Sequence, residues 1–183
     1  VLLMRSYLLA GNAAHYDGVI DALEAQGLNV VPAFASGLDS RPAIAQYFMK
    51  DGAATVDAVV SLTGFSLVGG PAYNDVRAAE ETLAGLDVPY LAAHPLEFQT
   101  MEQWQDDTRG LTPVEATMMV AIPELDGAIA PMTFGGRSST VDAGRDMVVM
   151  PERAATLAAR VAKLVALRKR ARFMRRLGSA PAW

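Results

Sequence analysis

The chain has 183 residues, of which 51% are hydrophobic and 20% are charged, and it contains no cysteine. This length and composition predict one globular domain, or one domain with a small appendage, and exclude intrinsically disordered, collagen-like and low-complexity classes. Without cysteine the chain supplies no thiolate nucleophile, no disulfide and no cysteine ligand for zinc or an iron–sulfur cluster. No apolar run reaches the roughly 18 residues that predict a membrane-spanning helix.

Charge is distributed unevenly along the chain. The formal net charge is -4, from 16 basic and 20 acidic residues. Six of the basic residues and none of the acidic ones fall in 168–183, which leaves ten basic and twenty acidic side chains in the rest. An acidic body argues against a broad nucleic-acid surface, because phosphate binding needs clustered Lys and Arg. The basic end is interpreted as a solvated helix end or a linker, with a nucleic-acid arm as the less favoured alternative.

The first residues show no targeting segment. The sequence begins at Val1 rather than Met, and no basic region is followed by an apolar stretch and a small-residue cleavage site. We therefore expect an internal piece of a longer, cytoplasmic polypeptide.

Short apolar runs alternate with segments of helical spacing. In chain order the patterns predict a strand at 1–9, a helix at 15–26, a strand at 28–34, a helix at 43–49, a strand at 57–62, a helix from Asn74 or Asp75 to Leu83, a strand at 88–93, a short helical turn at 101–107, a helix from Thr112 to about Pro123, a strand at 127–134, an irregular segment at 138–150 and a long helix from Pro151 to about Arg172.

Strands that are short continuous apolar runs are typical of strands buried on both faces. The alternation predicts an α/β fold: a doubly wound, flavodoxin-like, mostly parallel five-stranded sheet with helices on both faces. We assign 1–137 to this domain, 138–150 to an irregular excursion, and 151–183 to a long C-terminal helix with a basic end. In such sheets ligands bind beyond the carboxyl ends of the strands, where both histidines and much of the glycine fall.

Several common site motifs are missing. The sequence contains no G-x-x-x-x-G-K-[ST] loop, no G-x-G-x-x-G after the first strand, no H-E-x-x-H and no G-x-S-x-G. It therefore predicts no Walker-type ATP site and gives little support to dinucleotide binding. The two histidines are far apart in sequence, so a histidine-rich metal site made by this chain alone is not predicted.

The loop at 63–71, with the sequence TGFSLVGGP, is the most informative local stretch. Its glycines allow the backbone to approach a ligand closely, and its apolar residues suit a flat hydrophobic ligand or a partner domain. The alternative, favoured on spacing alone, is a tight loop that packs Phe65 and Leu67 under the sheet edge. The candidate ligand contacts in this loop are Thr63, Gly64, Phe65, Gly69 and Gly70.

Four more side chains at predicted strand ends could support chemistry. His15 opens a predicted helix and could accept a proton or bind a metal, although an ordinary polar helix-start residue explains it somewhat better. His94 and Glu97 could work as an acid–base pair, and Arg137 could clamp a carboxylate. Solvated loop or surface residues explain these three equally well.

Several stretches resemble one family. They are RSYLLAGN at 5–12, HYDGVI at 15–20, VPAFASGLD at 31–39, SLTGFSLVGGPA at 61–72, LDVPY at 86–90, PLEFQT at 95–100 and IPELDG at 122–127. Together they resemble the large, porphyrin-binding H subunit of magnesium chelatase, with the cobalt chelatase large subunit as a more distant relative. The similarity covers nearly all of 1–137, and Tyr7 and His94 place it closer to the bacteriochlorophyll-type members than to plant sequences.

The resemblance implies a domain of the large chain that holds protoporphyrin IX during Mg²⁺ insertion, in chlorophyll or bacteriochlorophyll biosynthesis. It implies as partners the remaining domains of that large chain, the AAA+ ATPase called the I subunit, and the D subunit, with ATP hydrolysed by the partners and no cofactor held tightly by this chain. The loop candidates and Arg137 then become candidate porphyrin contacts, and His15, His94 or Glu97 become candidates for moving pyrrole protons.

The family's Gly-Thr-His-Gly stretch is absent here, so catalytic residues stay unassigned and the isolated chain is expected to be inactive. Two alternatives stay open: a cobalt chelatase large subunit, and a non-catalytic α/β module that mediates contacts between domains or subunits.

Overall fold

The computed structural model describes residues 1–70, 73–140 and 146–178. The helices are α1 Arg5–Leu9, α2 Ala14–Ala25, α3 Arg41–Tyr47, α4 Val76–Leu86, α5 Met101–Asp106, α6 Pro113–Glu115, α7 Ile122–Leu125 and α8 Pro151–Gly178, and a π-helical turn at Ala116–Ala121 joins α6 to α7. The strands are β1 Met49–Lys50, β2 Ala53–Ala54, β3 Val59–Ser61, β4 Gly69–Gly70, β5 Tyr73–Asn74, β6 Tyr90–Leu96, β7 Ile129–Arg137 and β8 Met147–Val149.

The central sheet is mixed, with its four strands in the order β3-β6-β7-β8. β3, β6 and β7 run parallel, and β8 lies antiparallel to β7. Leu2 forms isolated parallel bridges to Ser61 of β3 and to Ala33, so the first predicted strand lies beside β3 and the second lies beside the first, neither of them as a regular strand. The α/β class is therefore confirmed, whereas five regular parallel strands are not observed in the described residues. Two small antiparallel hairpins, β1–β2 and β4–β5, accompany the sheet.

The first predicted strand, at 1–9, is wrong over its second half. Only the beginning pairs with the sheet: the Leu3 N–H donates to the Ala33 carbonyl at 2.9 Å. From Arg5 the chain forms α1, which contains no fully buried residue, and Leu9 is 71% exposed. The run of Tyr, Leu and Ala that reads as an apolar strand also has good helix propensity, and a helix is what forms once the chain leaves the sheet.

The segment predicted as irregular contains one regular element. Residues 141–145 lie outside the described part of the chain, but Met147–Val149 form β8 and pair with Gly135–Arg137 of β7. An edge strand of three residues offers too few alternating positions to be recognised from sequence.

Alternate residues of the central strands face two helical layers, as strand geometry requires. Val60 and Leu91 belong to the core formed with α2 and α8. Val59 and Tyr90 belong to the core formed with α3 and α4. Helices on both faces of the sheet are thus confirmed.

Two glycines let β7 lie unusually close to its neighbours. A Cβ on Gly135 would clash with the Val148 carbonyl, and a Cβ on Gly136 would lie 2.6 Å from the Leu96 Cβ and 2.8 Å from the Leu96 nitrogen. Any side chain at these positions would push β7 away from β6 or β8. The pair therefore fixes the position from which Arg137 leaves the sheet.

The predicted long helix is confirmed as α8, which continues past Arg172 to Gly178. Its inward side includes Leu157, Val161 and Val165. Ion pairs of 3.0 Å join its basic residues Arg168 and Lys169 to Asp87 and Asp57. Among the described residues, no helix combines the length and the apolar character needed to cross a membrane.

Candidate functional site

A hydrogen-bonded pair, Tyr7 and Glu97, lies at the carboxyl end of β6 and β7, and Arg137 is near enough for its charge to act on Glu97. The Tyr7 hydroxyl donates to both carboxylate oxygens of Glu97, at 2.5 and 2.6 Å. Burial raises the pKa of Glu97, while the Tyr7 hydrogen bond and the nearby Arg137 charge lower it. Burial and the contact with Glu97 raise the pKa of Tyr7 well above its usual value. The arrangement can hold a proton on or near Glu97 at the sheet edge.

Arg137 already forms one hydrogen bond within the chain. Its guanidinium donates to the Phe98 carbonyl at 3.0 Å, and its Nε is buried without a hydrogen-bond partner. The structure therefore places Arg137 beside Glu97, where it can orient that segment as well as meet an anion.

The sequence patterns did not indicate Tyr7 as a site residue. It reaches Glu97 from α1, the helix that the apolar pattern of 1–9 did not predict.

His15 is fully buried in an aromatic cluster at the start of α2. Its ring stacks on Phe134 with centroids 5.8 Å apart, and it meets the Tyr7 ring edge-on at 5.0 Å. Neither ring nitrogen has a hydrogen-bond partner, and burial lowers the pKa of His15 to about 4. The imidazole is therefore neutral at pH 7 and sits beside the Tyr7–Glu97 pair, shielded from solvent.

His94 is buried in β6 with 1% of its surface exposed. Its Nε2 lies 3.4 Å from the Thr133 hydroxyl, and its Nδ1 has no hydrogen-bond partner. Burial lowers the pKa of His94 to about 4. In the described part of the chain no hydrogen bond links His94 to Glu97, the two residues of the predicted acid–base pair.

The first half of the glycine loop is held by short-range hydrogen bonds. The Thr63 hydroxyl lies 2.9 Å from the Ser61 hydroxyl and accepts from the Phe65 N–H at 3.3 Å. Gly64 has a φ of +70°, and a Cβ there would lie 3.5 Å from the His94 Cβ. Gly64 therefore lies close to His94, and Phe65 stays only half-buried.

The second half of the loop is part of the packing. The Ser66 hydroxyl and the Leu67 N–H both donate to Asp126 at 2.7 Å, and Leu67 is 1% exposed. Gly69 has a φ of +131°, and a Cβ there would clash with the Tyr73 carbonyl. Gly70 would likewise clash with Leu38 if it carried a side chain. Gly69 and Gly70 thus serve the β4–β5 hairpin, and Pro71 lies outside the described residues.

Glu115 joins the segment after β6 to the helical segment 113–125. It is fully buried, and its carboxylate accepts from the Gln99 Nε2 at 2.6 Å, the Thr112 hydroxyl at 2.8 Å and the Thr112 N–H at 3.1 Å. Weaker bonds from the backbone of Phe98 and Gln99 complete the set. The spacing of Thr112 and Glu115 is typical of a helix capping box, but that pattern does not indicate that Glu115 would also bind the segment that follows Glu97.

The described residues contain no group of three or more His, Cys, Asp or Glu side chains that could hold a metal ion.

Comparison with known proteins identifies the family. The profile of the family described as CobN/Magnesium Chelatase matches residues 1–178. The chain belongs to the CobN/magnesium chelatase family. The resemblance drawn from the sequence motifs is therefore confirmed.

Members of the CobN/magnesium chelatase family from bacteria and plants share much of this sequence. The chain is 52% identical to the magnesium-chelatase H subunit of Cereibacter sphaeroides over 97% of its length, and 44% identical to the chloroplastic ChlH subunit of Oryza sativa subsp. indica over 90%. It is 34% identical to the aerobic cobaltochelatase CobN subunit of Pseudomonas aeruginosa over 74%. The chain spans only 16%, 12% and 10% of these relatives, respectively.

A solved structure from the CobN/magnesium chelatase family has the same arrangement of elements. The catalytic subunit of cobaltochelatase from Mycobacterium tuberculosis superposes with a TM-score of 0.73 at 28% sequence identity. The match covers 92% of this chain and 14% of that protein. A similar α/β unit thus forms one part of that much longer cobaltochelatase subunit.

Proposed function

We propose that the chain is a domain of the magnesium chelatase H subunit, the component that binds protoporphyrin IX while Mg²⁺ is inserted in chlorophyll or bacteriochlorophyll biosynthesis. The observation that carries this proposal is the 52% identity to an H subunit over 97% of the chain, against 34% over 74% for cobaltochelatase CobN. Because the chain spans 16% of that H subunit, the activity belongs to the larger assembly. The proposal includes the I and D partner subunits, with ATP hydrolysed by the partners, and a cytoplasmic location.

Within that larger protein the proposed contribution of this domain lies at the carboxyl edge of its sheet. Glu97, bonded to Tyr7 and beside Arg137, is the group best placed to exchange a proton, because burial raises its pKa and the Tyr7 hydroxyl lies within hydrogen-bond distance of both carboxylate oxygens. Thr63, Gly64 and Phe65 are the proposed porphyrin contacts of the loop, supported by the partial exposure of Phe65 and by the closeness of Gly64 to His94. His15 is assigned a supporting role behind Tyr7.

The proposal also includes a flavodoxin-like topology. The segments around Ala33 and Leu2, followed by β3, β6 and β7, lie in the spatial order 2-1-3-4-5, which is the flavodoxin order. On this basis 1–137 form the flavodoxin-like unit, 138–150 an excursion that adds the antiparallel edge strand, and 151–183 the long helix with its basic end. Packing of α8 beside α2 supports including the helix in the same folded unit.

A chimera tests the proposed function. The matching segment of the Cereibacter sphaeroides H subunit is replaced by this chain, and Mg²⁺ insertion into deuteroporphyrin is measured with the other chelatase subunits of that organism. The chimera should retain most of the parental Mg²⁺ rate and should not insert Co²⁺. The control replaces the same segment with that of Pseudomonas aeruginosa CobN, which should lose most of the Mg²⁺ rate. A chimera that matches the parent in circular dichroism and elution volume but is inactive, beside an active CobN chimera, would refute the proposal.

A further inference from the structure

We propose that a cleft between the sheet and α8 is a binding site for a carboxylate group. The cleft has a volume of about 340 Å³. Arg153 and Arg160 of α8 line it together with His94 of β6 and Trp104 of α5, and its apolar walls include Val120 and Met132. We call this site the arginine pocket. Its lining does not include the Tyr7, Glu97 and Arg137 group described above.

Two positive charges in the arginine pocket lack a counter-ion. Arg153 and Arg160 are seven residues apart, so they project from the same side of α8. Neither forms an ion pair with any residue that the structure describes, and none of the residues lining the cleft is acidic. Other arginines of the chain do pair with carboxylates, namely Arg41, Arg77, Arg109 and Arg168.

Arg153 is held in place although it has no anionic partner. Its guanidinium carbon lies 4.8 Å from the centroid of the Trp104 ring, within the distance of a cation–π interaction. Its Nε is buried and has no hydrogen-bond partner. Buried guanidinium donors are normally satisfied, so an unpaired one that is already oriented indicates a position for an acceptor.

His94 supplies a second polar atom that lacks a partner. It is 1% exposed, lines the pocket, and has an Nδ1 without a hydrogen bond. Glu115 lies near enough for its charge to raise the pKa of His94, but the donors of Gln99 and Thr112 already surround that carboxylate. Glu115 therefore does not serve as the counter-ion of the two arginines.

The chemistry of the arginine pocket fits a carboxylate on an apolar body. A planar guanidinium binds a carboxylate through two parallel hydrogen bonds, and the apolar walls exclude water from the carbon chain. The carboxylate could come from a propionate of the porphyrin, which rests on the proposed function, or from an acidic side chain elsewhere in the same full-length protein.

Binding of a small acid tests the proposal directly. The probe is 3-phenylpropionate, and the readout is the fluorescence of Trp104 in this chain with Trp183→Phe, which leaves one tryptophan. The acid should cause a saturable change, whereas the neutral 3-phenylpropanamide should bind at least about tenfold more weakly. The double variant Arg153→Gln, Arg160→Gln should bind the acid at least about tenfold more weakly than the unmodified chain does. The matched control is Arg170→Gln, an exposed arginine of the same helix, which should leave binding unchanged.

Each outcome decides a point. Equal binding of acid and amide, equal binding by the double variant and the Arg170→Gln control, or no binding of the acid would overturn the proposal. Competition between deuteroporphyrin IX and the acid, lost with the dimethyl ester of deuteroporphyrin, identifies the porphyrin propionate as the source. Binding of the acid without competition by deuteroporphyrin supports the carboxylate site with an acidic side chain as its occupant. The chimera experiment is independent of this assay, so a failed site and a failed function give different results.

Discussion

Acidification should destabilise this protein through its two buried histidines. His15 and His94 are the only histidines of the chain, and they are 0% and 1% exposed. Burial lowers the pKa of each from 6.5 to about 4. The unfolded chain binds these protons near pH 6.5 and the folded chain only near pH 4. The stabilising contribution is therefore fully present above pH 6.5 and is lost as the pH falls toward 4.

The size of the effect follows from the difference in pKa between the two states. When fully developed, it corresponds to about 3 kcal/mol for each histidine. Between pH 7 and pH 5 the unfolded histidine becomes almost fully protonated while the folded one stays neutral, so the free energy of unfolding falls by about 2 kcal/mol per histidine. Glu102, whose pKa is lowered by hydrogen bonds from Ser139 and Ser138, contributes with the same sign. The histidine effect must therefore be measured as a difference between variants.

His15→Phe isolates one of the two contributions. Phenylalanine can keep the stacking on Phe134 but cannot be protonated. Urea unfolding at pH 7, 6 and 5 should show that the variant loses about 2 kcal/mol less stability than the wild type over this range. Tyr16→Phe is the matched control, because it removes only the hydroxyl that accepts from the Met4 N–H, and its pH profile should run parallel to the wild type. A parallel profile for His15→Phe would refute a neutral, buried His15.

The remaining predictions concern packing and can be read from urea or thermal unfolding. Glu115→Ala removes the acceptor of the buried Gln99 and Thr112 donors and should lower the free energy of unfolding by about 3–5 kcal/mol, and a loss below about 1 kcal/mol would contradict the proposed hydrogen-bond hub. Gly136→Ala places a methyl group against Leu96 of the neighbouring strand β6 and should lower the free energy of unfolding by about 2 kcal/mol or more. Gly85→Ala, inside α4 with nothing within 4 Å of the new Cβ, should instead stabilise by about 0.5–1 kcal/mol. Equal shifts in Tm for the two glycine variants would contradict the tight approach of β7 to β6.

Local signals predicted the structure well where one short pattern determines an element. Thr112, Pro113 and Glu115 predicted a capped helix start, and both hydrogen bonds of the capping box are present. The same helix is expected to stop near Pro123, and the helical path ends at Leu125. The π-helical turn leads into α7, where Pro123 occupies the first turn and its missing N–H costs nothing.

Contacts between distant segments were beyond the reach of sequence patterns. Tyr7 and Glu97 are 90 residues apart, and only the folding of α1 brings them together. His15 and His94 were expected at strand ends or helix starts, where solvent exposure was a reasonable interpretation. Their burial depends on which side chains pack above them, such as Phe134 over His15, and that is a property of the assembled layers.

The long C-terminal helix is attached to the rest of the protein along only part of its length. Among the side chains that the structure describes, Val165 is its last inward residue in the core and Lys169 its last residue in an ion pair, and further along Phe173 and Met174 are 60% and 59% exposed. A helical stretch without packing is marginal in water, so it opens locally. Amide hydrogens in the first turns of α8 should therefore exchange with solvent only when the whole domain unfolds, and those beyond Arg170 should exchange by fraying. A single helix thus reports both the global and the local opening free energy.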